Sequence, residues 1–501
     1  MGTLLIRADA SVRIGAGHVM RCLALAQAWQ EDGGDVILLS SPGIEPWIPR
    51  LEAEKIRVRR MDEVPGSRED AAGMAALVRE TSAVWAVLDG YAFTPEYQGL
   101  LGQAGVTFLF IDDEPRDPSP AAALTLHPGL QSREGGSHRG GARRTLLEGG
   151  RHLLLRKEFL PWRTWTRAVP PAAARILITL GGSDPDNLAS RVVEAIGMCR
   201  TRAWEAMLVV GPSNPHGAEL QARIEEQRLP IRVRRGADDM ASLMSWADVA
   251  VSAAGSTSWE LAFMGLPAVL VVSADNQRTV AASMTEAGVA VSLGEASALG
   301  PEAIADHLDR LGGDAPLRGE MSRKGRILVD GGGARRVVAR MHSALLEFRE
   351  ARAEDARLLW EWANDPEIRS VSFTPEAIPW ERHLDWFRQK LGSSACILLI
   401  VTDVSGHPLG QIRFDLEDRE AVVSVSLSRE SRGRGWGAPL IERACRRVFE
   451  SSRADVIHAY IKESNPASEQ AFQAAGFVNR GAGTPHHEKA SHWVLPKESL
   501  R

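Results

Sequence analysis

Short runs of aliphatic and β-branched residues alternate with amphipathic stretches through the first two-thirds of the chain. Residues 4–6, 36–39, 86–88 and 107–111 are apolar, brief and followed by turn residues, while 19–31 and 70–80 carry apolar positions at helical spacing. Strand–helix alternation of this kind predicts a parallel sheet covered on both faces. A second series opens at Arg175, with strand-like runs at 176–180, 206–210, 231–234, 249–252 and 268–272. Two such series in tandem predict two Rossmann-like lobes with a cleft between them. The pattern changes near Phe348: two tryptophan-bearing helical stretches, 358–365 and 380–387, precede strand-like runs at 397–401, 408–414 and 421–427. Trp360, Trp362, Trp380 and Trp386 sit on the apolar faces of those helices and are expected in a core.

Punctuation residues suggest the boundaries. The Gly-, Ser- and Arg-rich stretch 131–150 reads as a surface excursion, and 168–174, with Pro170 and Pro171, as the crossing between lobes. Asp330-Gly-Gly-Gly-Ala334 then opens a last helix over 335–346. Three domains follow, at 1–167, 168–347 and 348–501, in an α/β chain of two Rossmann-like lobes and a third α/β domain.

Composition changes this picture little. The 501 residues are 44% hydrophobic and 25% charged, ordinary globular values, and the net charge of −5 argues against nucleic acid or an anionic membrane as partner. Cys22, Cys199, Cys396 and Cys445 are scattered without a CxxC pair, which fits a reducing compartment. Arg7, Asp9 and Arg13 interrupt any apolar leader, and the longest apolar run, 261–274, is too short to span a bilayer. A cytoplasmic enzyme is expected, with no obligatory protein partner.

The candidate chemistry begins at Gly15-Ala-Gly17-His18, where a strand gives way to a helix. Two glycines let the backbone approach a ligand, the helix N-terminus offers unpaired N–H groups, and His18 stands at that mouth as a candidate general base. Arg21 lies one turn further in. Asp89, Tyr91, Asp112 and Asp113 follow strand-like runs, so they are placed at the carboxyl edge of the sheet, where open α/β sheets bind ligands. Helix capping or turn stabilisation is the other reading of those carboxylates.

This opening, with Leu88-Asp89-Gly-Tyr91, Ile111-Asp112-Asp113-Glu114, the string from Gly181 to Leu188, Pro212-Ser213-Asn214-Pro215, the string from Ser252 to Glu260, Asp275-Asn276-Gln277 and the glycine run after Asp330, resembles the sugar-nucleotide hydrolases of pseudaminic acid synthesis over about residues 1–345. Those enzymes act on UDP-2,4-diacetamido-2,4,6-trideoxy-β-L-altropyranose. The resemblance implies a UDP-sugar substrate and gives His18 the role of activating water. It also implies substrate contacts for Gly15, Gly17, Arg21, Asp89, Tyr91, Asp113, Gly182, Ser183, Asp184 and Asn187.

In the second lobe, Gly255 and Ser256 open a helix able to hold a diphosphate, Glu260 lies one turn on as a ribose acceptor, and Asn276 and Gln277 close the pocket. Glu260 capping or pairing on the helix surface is the alternative. The stretch resembles the donor lobe of the two-lobed (GT-B) glycosyltransferases, including the one that forms lipid II. A UDP leaving group needs charge stabilisation more than protonation, so one base and one water suffice for hydrolysis with inversion. A glycosyltransferase, excluding water in favour of an acceptor, is the competing reading.

In the third domain Arg432-Gly433-Arg434-Gly435-Trp436-Gly437 follows a strand ending at Leu427 and opens a helix over 438–449. Successive N–H groups at such a start wrap a pyrophosphate, and glycines clear space for it. With Asn465-Pro-Ala-Ser468 and Gly476-Phe477 the segment resembles the GNAT superfamily of N-acetyltransferases, implying acetyl-CoA as co-substrate held by 432–437, Leu427, Asn465 and Ser468. Phe472 stands where that superfamily often has the Tyr that protonates the departing thiolate, which leaves open a non-catalytic acyl-CoA-binding module. The tryptophan-rich opening resembles acetyltransferases of the 4-amino sugar that precedes the hydrolysis step, and also those acting on ribosomal-protein N-termini. Among Glu417, Asp418 and Glu420 no general base is singled out. His486, His487 and His492 lack the cysteine or spaced carboxylate that would complete a metal site, so no metal is expected.

Overall fold

The computed structural model describes residues 2–12, 14–113, 119–130, 145–199, 204–236, 239–483 and 489–500. Glu114, His486, His487 and most of the excursion at 131–150 lie outside them. The chain divides into two compact units, the second beginning at Val338.

The first unit holds two parallel sheets. In the first lobe, β1 (Thr3–Ala8), β2 (Asp35–Ser40), β3 (Arg57–Arg60), β4 (Trp85–Asp89), β5 (Phe108–Ile111), β6 (Leu124–Leu126) and β7 (Thr145–Leu147) lie in the order β3-β2-β1-β4-β5-β6-β7. The near-continuous apolar runs of β1, β2 and β4 suit strands buried on both faces. One covering layer is the helix Gly17–Glu31, which buries Val19, Cys22, Leu23, Leu25 and Ala26. The second lobe repeats the plan. There β8 (Arg175–Thr179), β9 (Glu205–Val210), β10 (Ile231–Arg235), β11 (Val249–Ala253), β12 (Ala268–Val272) and β13 (Ala290–Glu295) lie in the order β10-β9-β8-β11-β12-β13.

In each lobe the strand order reverses beside the first strand, so β1 neighbours β4 and β8 neighbours β11. The turns leaving such a pair diverge and open a crevice at the carboxyl edge. That geometry is what assembles residues 14–18 with 89–93 in one lobe, and 180–187 with 254–256 in the other.

The second unit carries β14 (Glu347–Glu350), β15 (Cys396–Thr402), β16 (Pro408–Glu417), β17 (Glu420–Leu427), β18 (Val456–Lys462), β19 (Val478–Gly483) and β20 (Ala490–Pro496) in the order β14-β15-β16-β17-β18-β20-β19. Neighbours are antiparallel except β17 and β18, which run parallel and pair only at Glu420↔Val456, Ala421↔Ile457 and Val422↔His458. Beyond Val422 the two strands part. One face, bearing Ile412, Phe414, Val423, Ile457, Ala459 and Ile461, packs on the helix Gly437–Ser451 through Leu440, Ala444 and Val448. Each large aliphatic chain buried there contributes roughly 1.5–3 kcal/mol. The helices Ala356–Ala363 and Trp380–Leu391 cover β15 on the other face through Leu359 and Phe387.

Two expectations shift. Leu153, Leu155 and Phe159 already pack in the second-lobe core beside Leu177 and Phe263, so the chain crosses between lobes before the proline pair. The boundary between units falls inside the helix Gly333–Leu345, because Ala339 and Leu346 belong to the core of the second unit.

Candidate active sites

In the first lobe His18 is nearly buried at the start of its helix, and its Nδ1 lies 2.6 Å from Asp89 Oδ1. Asp89 ends β4 with no solvent exposure. Its Oδ1 also accepts from Arg21 Nη2 at 2.5 Å, and its Oδ2 from Arg21 Nε at 2.6 Å and Cys22 Sγ at 3.4 Å. Burial by itself pushes the Asp89 carboxyl up. The charges and hydrogen bonds of Arg21 and His18 outweigh it and hold the group far below the usual carboxylate range. An ionised carboxylate only accepts, so Nδ1 turns an N–H toward it, with Arg21 Nη2 3.1 Å from the same nitrogen.

Arg21 is clamped from its other side by Asp113, with Nη1 to Oδ1 at 2.5 Å and Nη2 to Oδ2 at 3.1 Å. Burial lowers the guanidinium's basicity, but Asp113 and Asp89 more than offset it and keep the charge fixed. Asp89, expected as a substrate contact, has both oxygens occupied. Its place is behind His18, and Arg21 likewise faces carboxylates rather than open cleft. Asp112 is buried as well. Tyr91 remains exposed: its hydroxyl donates to Asp113 Oδ2 at 3.1 Å and its ring meets His18 edge-on at 5.0 Å.

The turns of the second lobe face this one closely. A Cβ built on Gly15 would stand 3.9 Å from Ser183 Oγ, and one on Gly17 the same distance from Ser256 Oγ. At Gly182 a Cβ would come within 2.7 Å of the Trp47 ring, so only glycine admits that approach. Asn276 Nδ2 donates to the Tyr91 hydroxyl at 2.7 Å, a hydrogen bond from lobe to lobe. Gly15, Gly17, His18, Tyr91, Gly182, Ser183, Ser256 and Asn276 therefore come together, with Gly255 beside them at the start of the helix Thr257–Phe263.

Other expected contacts are engaged in the protein itself. Asp184 accepts from the backbone N–H groups of Leu188 and Ala189, both at 2.9 Å, and so caps the helix Leu188–Met198. Burial nevertheless raises its carboxyl, with those two hydrogen bonds opposing. Asn187 adopts left-handed backbone just ahead of that helix, and its buried Oδ1 has no partner among the described residues. Gln277 Oε1 closes its own turn, accepting from Ser273 N at 2.9 Å. Glu260 Oε1 is held by Arg156 Nη2 at 2.8 Å and Nε at 3.0 Å. Burial raises Glu260, and the charge of Arg156 pulls it back. Arg156 also meets Glu158, which meets Arg50, so a line of ion pairs joins the two lobes. Arg156 and Trp47 were not foreseen. The only signal for Arg156 was a cation directly after the apolar run 153–155.

In the second unit Gly433 and Gly435 have left-handed φ of 74° and 77°, which turns the chain around a point where a Cβ on Gly433 would meet nothing. The helix Gly437–Ser451 has no side-chain cap, so its first N–H groups are open to an anion. These features fit the pyrophosphate of a coenzyme. Arg432 points elsewhere: Nη1 binds Asp365 Oδ1 at 3.0 Å and Glu367 Oε2 at 2.8 Å, and Nε donates to Leu427 O at 3.0 Å. Arg434 Nε donates to Glu430 O at 2.7 Å, and Trp436 is buried. Asn465 Oδ1 accepts from Ser468 N at 3.1 Å and caps the helix Pro466–Ala474. Phe472 is a core ring, edge-on to Phe477 at 4.9 Å.

Comparison with known proteins agrees with this division. The C-terminal domain of glycosyltransferase family 28 matches residues 175–327, and the acetyltransferase (GNAT) domain matches 346–478. The chain thus joins a nucleotide-sugar glycosyltransferase-like region to a GNAT acetyltransferase domain. The spore coat polysaccharide biosynthesis protein SpsG of Bacillus subtilis is 30% identical over 195 residues, 39% of this chain and 57% of that protein. The UDP-N-acetylglucosamine–N-acetylmuramyl-(pentapeptide) pyrophosphoryl-undecaprenol N-acetylglucosamine transferase of Nitrosococcus oceani is 31% identical over 182 residues, 33% of this chain and 47% of that one. The chain spans about half the length of these curated relatives. The crystal structure of Acinetobacter baumannii MurG superposes with a TM-score of 0.50 at 21% identity, covering 68% of this chain and 98% of that one, a likeness of fold. Among the described residues no helix is long and apolar enough to cross a membrane.

Proposed function

We propose that the first unit hydrolyses a UDP-linked sugar, with His18 as the base that activates water, and that the second transfers acetyl from acetyl-CoA to an amine of the precursor sugar. The observation that carries the first half is the 2.6 Å contact between His18 Nδ1 and a fully buried, ionised Asp89, which on this reading leaves Nε2 to take the proton of water. His18 takes the proton of the attacking water as its oxygen bonds the anomeric carbon. UDP departs with the electrons of the glycosidic bond, steadied by N–H groups of the glycine turns and the Ser183 and Ser256 hydroxyls. Burial of Asp89 keeps that imidazole in one tautomer without offering a second acid. The sugar of this reading is the 2,4-diacetamido-2,4,6-trideoxy hexose suggested by the ordered motifs.

For the second unit, acetyl-CoA supplies the acyl group. The 433–437 turn and the uncapped helix bind its phosphates, while Asn465 fixes the neighbouring turn. The buried Phe472 donates no proton, so the departing thiolate takes its proton elsewhere.

The match of residues 175–327 to a glycosyltransferase domain favours a second reading, transfer of the sugar to an acceptor. One assay separates them: UDP release and acetyl-CoA consumption with the UDP-linked 4-amino sugar, for the native chain and His18→Ala. Hydrolysis predicts UDP release without acceptor by the native chain and accumulation of acetylated UDP-sugar by the variant. UDP release that appears only on adding an acceptor sugar or lipid favours the transferase.

A further inference from the structure

On β16 and β17 the side chains of Gln411 and Ser426 stand directly opposite each other. Their strand neighbours Ile412, Val425 and Leu427 pack toward the helix Gly437–Ser451, so alternation puts Gln411 and Ser426 on the other face. Ser426 is only 8% exposed, and its Oγ and Gln411 Oε1 are buried without a hydrogen-bond partner among the described residues. Unpaired polar atoms in such a place cost stability, on the order of 1–3 kcal/mol each, unless something else fills the bond.

The surroundings indicate what fills it. Ser426 lies beyond the last β17–β18 pair at Val422, where the strands have parted, and just before the 432–437 turn. The segment from Pro366 to Thr374 spans this opening. Asp365 and Glu367 tie one end to Arg432, and Ser372 O accepts from Lys462 Nζ at 3.2 Å on the far strand. Lys462 shares its face with His458 and Tyr460, opposite the packed Ile457, Ala459 and Ile461. The segment thus runs from the turn after β17 to β18, with Ser426 buried and Ser424, two residues back on the same face, exposed.

We infer that Gln411 and Ser426 form the acceptor subsite of the acetyltransferase and bind an amine carried on a polyhydroxylated ring. This rests on the acetyl-transfer reading of the second unit. Gln411 Oε1 accepts an amine N–H, and Ser426 Oγ bonds the amine or the hydroxyl on the adjacent carbon. The nitrogen lone pair is thereby aimed at the thioester. As the C–N bond forms the C–S bond breaks, the amine gives up one proton, and the thiolate gains one to leave as CoA thiol.

The test is steady-state kinetics of the full chain with acetyl-CoA and the UDP-linked 4-amino sugar, for native protein, Ser426→Ala and Gln411→Met. Each variant is expected to raise the amine KM about tenfold or more, leave the acetyl-CoA KM unchanged, and keep or raise Tm, since no internal hydrogen bond is lost. An unchanged amine KM in both variants, with native turnover intact, overturns the subsite while leaving acetyl transfer standing. A fall in Tm with no change in amine KM assigns the pair a packing role and also overturns it. No acetyl-CoA consumption by the native chain overturns the acetyl-transfer reading, and the subsite with it.

Discussion

Asp89 shows how a single buried carboxylate can hold three neighbouring side chains in place. It accepts from His18, Arg21 and Cys22 and has no solvent exposure. Asp89→Asn keeps the shape but can donate to Nδ1 and favour the wrong tautomer. On the proposed reading kcat for UDP release falls on the order of 10³–10⁴-fold, with the substrate KM little changed. The same variant has a thermodynamic signature. Because the folded-state pKa of Asp89 is depressed, its contribution is complete above the ordinary carboxylate range and is lost as pH falls through the folded value. Urea unfolding of the first unit should therefore separate native from variant widely at neutral pH and progressively less in acid. A gap that widens in acid would contradict the ion-pair account.

At the scale of elements, the glycine turn at 433–437 is the most exposed to test. Gly435 has a φ of 77°, and a Cβ there would meet Ala339 Cβ at 3.3 Å. Gly435→Ala is expected to cost about 1–2 kcal/mol in loop geometry and to weaken acetyl-CoA binding about tenfold by calorimetry. Unchanged binding would remove the turn from the coenzyme site. This turn was legible because its chemistry lies in consecutive residues. The central strands were legible for a similar reason, since β1, β4, β8 and β11 each hold at least three consecutive apolar residues. The strands at and next to the sheet edges were not: β3 reads Arg-Val-Arg-Arg with its charges in solvent, and β6 and β7 are three residues each. Nor did local sequence disclose pairings across long separations. Glu260 with Arg156, or Gln411 with Ser426, arise only when strands and helices are assembled.

For the molecule as a whole, the placement of the unit boundary has measurable weight. The end of the helix Gly333–Leu345 supplies Ala339 to the second core, Arg340 to the buried Glu442 at 2.5 Å, and carbonyls near its end to Arg443. A fragment of residues 347–501 lacks all of these, whereas 338–501 keeps them. The shorter fragment should be less stable by on the order of 3 kcal/mol, since it leaves the buried Glu442 with Arg446 in place of two arginines and opens the core beside it. Equal urea midpoints for the two would place the working boundary at Glu347 instead.

The approach of Trp47 to Gly182 gives the first unit an optical property of its own. An indole pressed on a glycine backbone of the opposite lobe senses whether water or protein lies beside it, and its buried Nε1 has no partner among the described residues. With 14 tryptophans in the chain, that emission is isolated by subtracting the spectrum of Trp47→Phe from the native one. The difference spectrum turns the interlobe gap into a wavelength, readable in solution without a label.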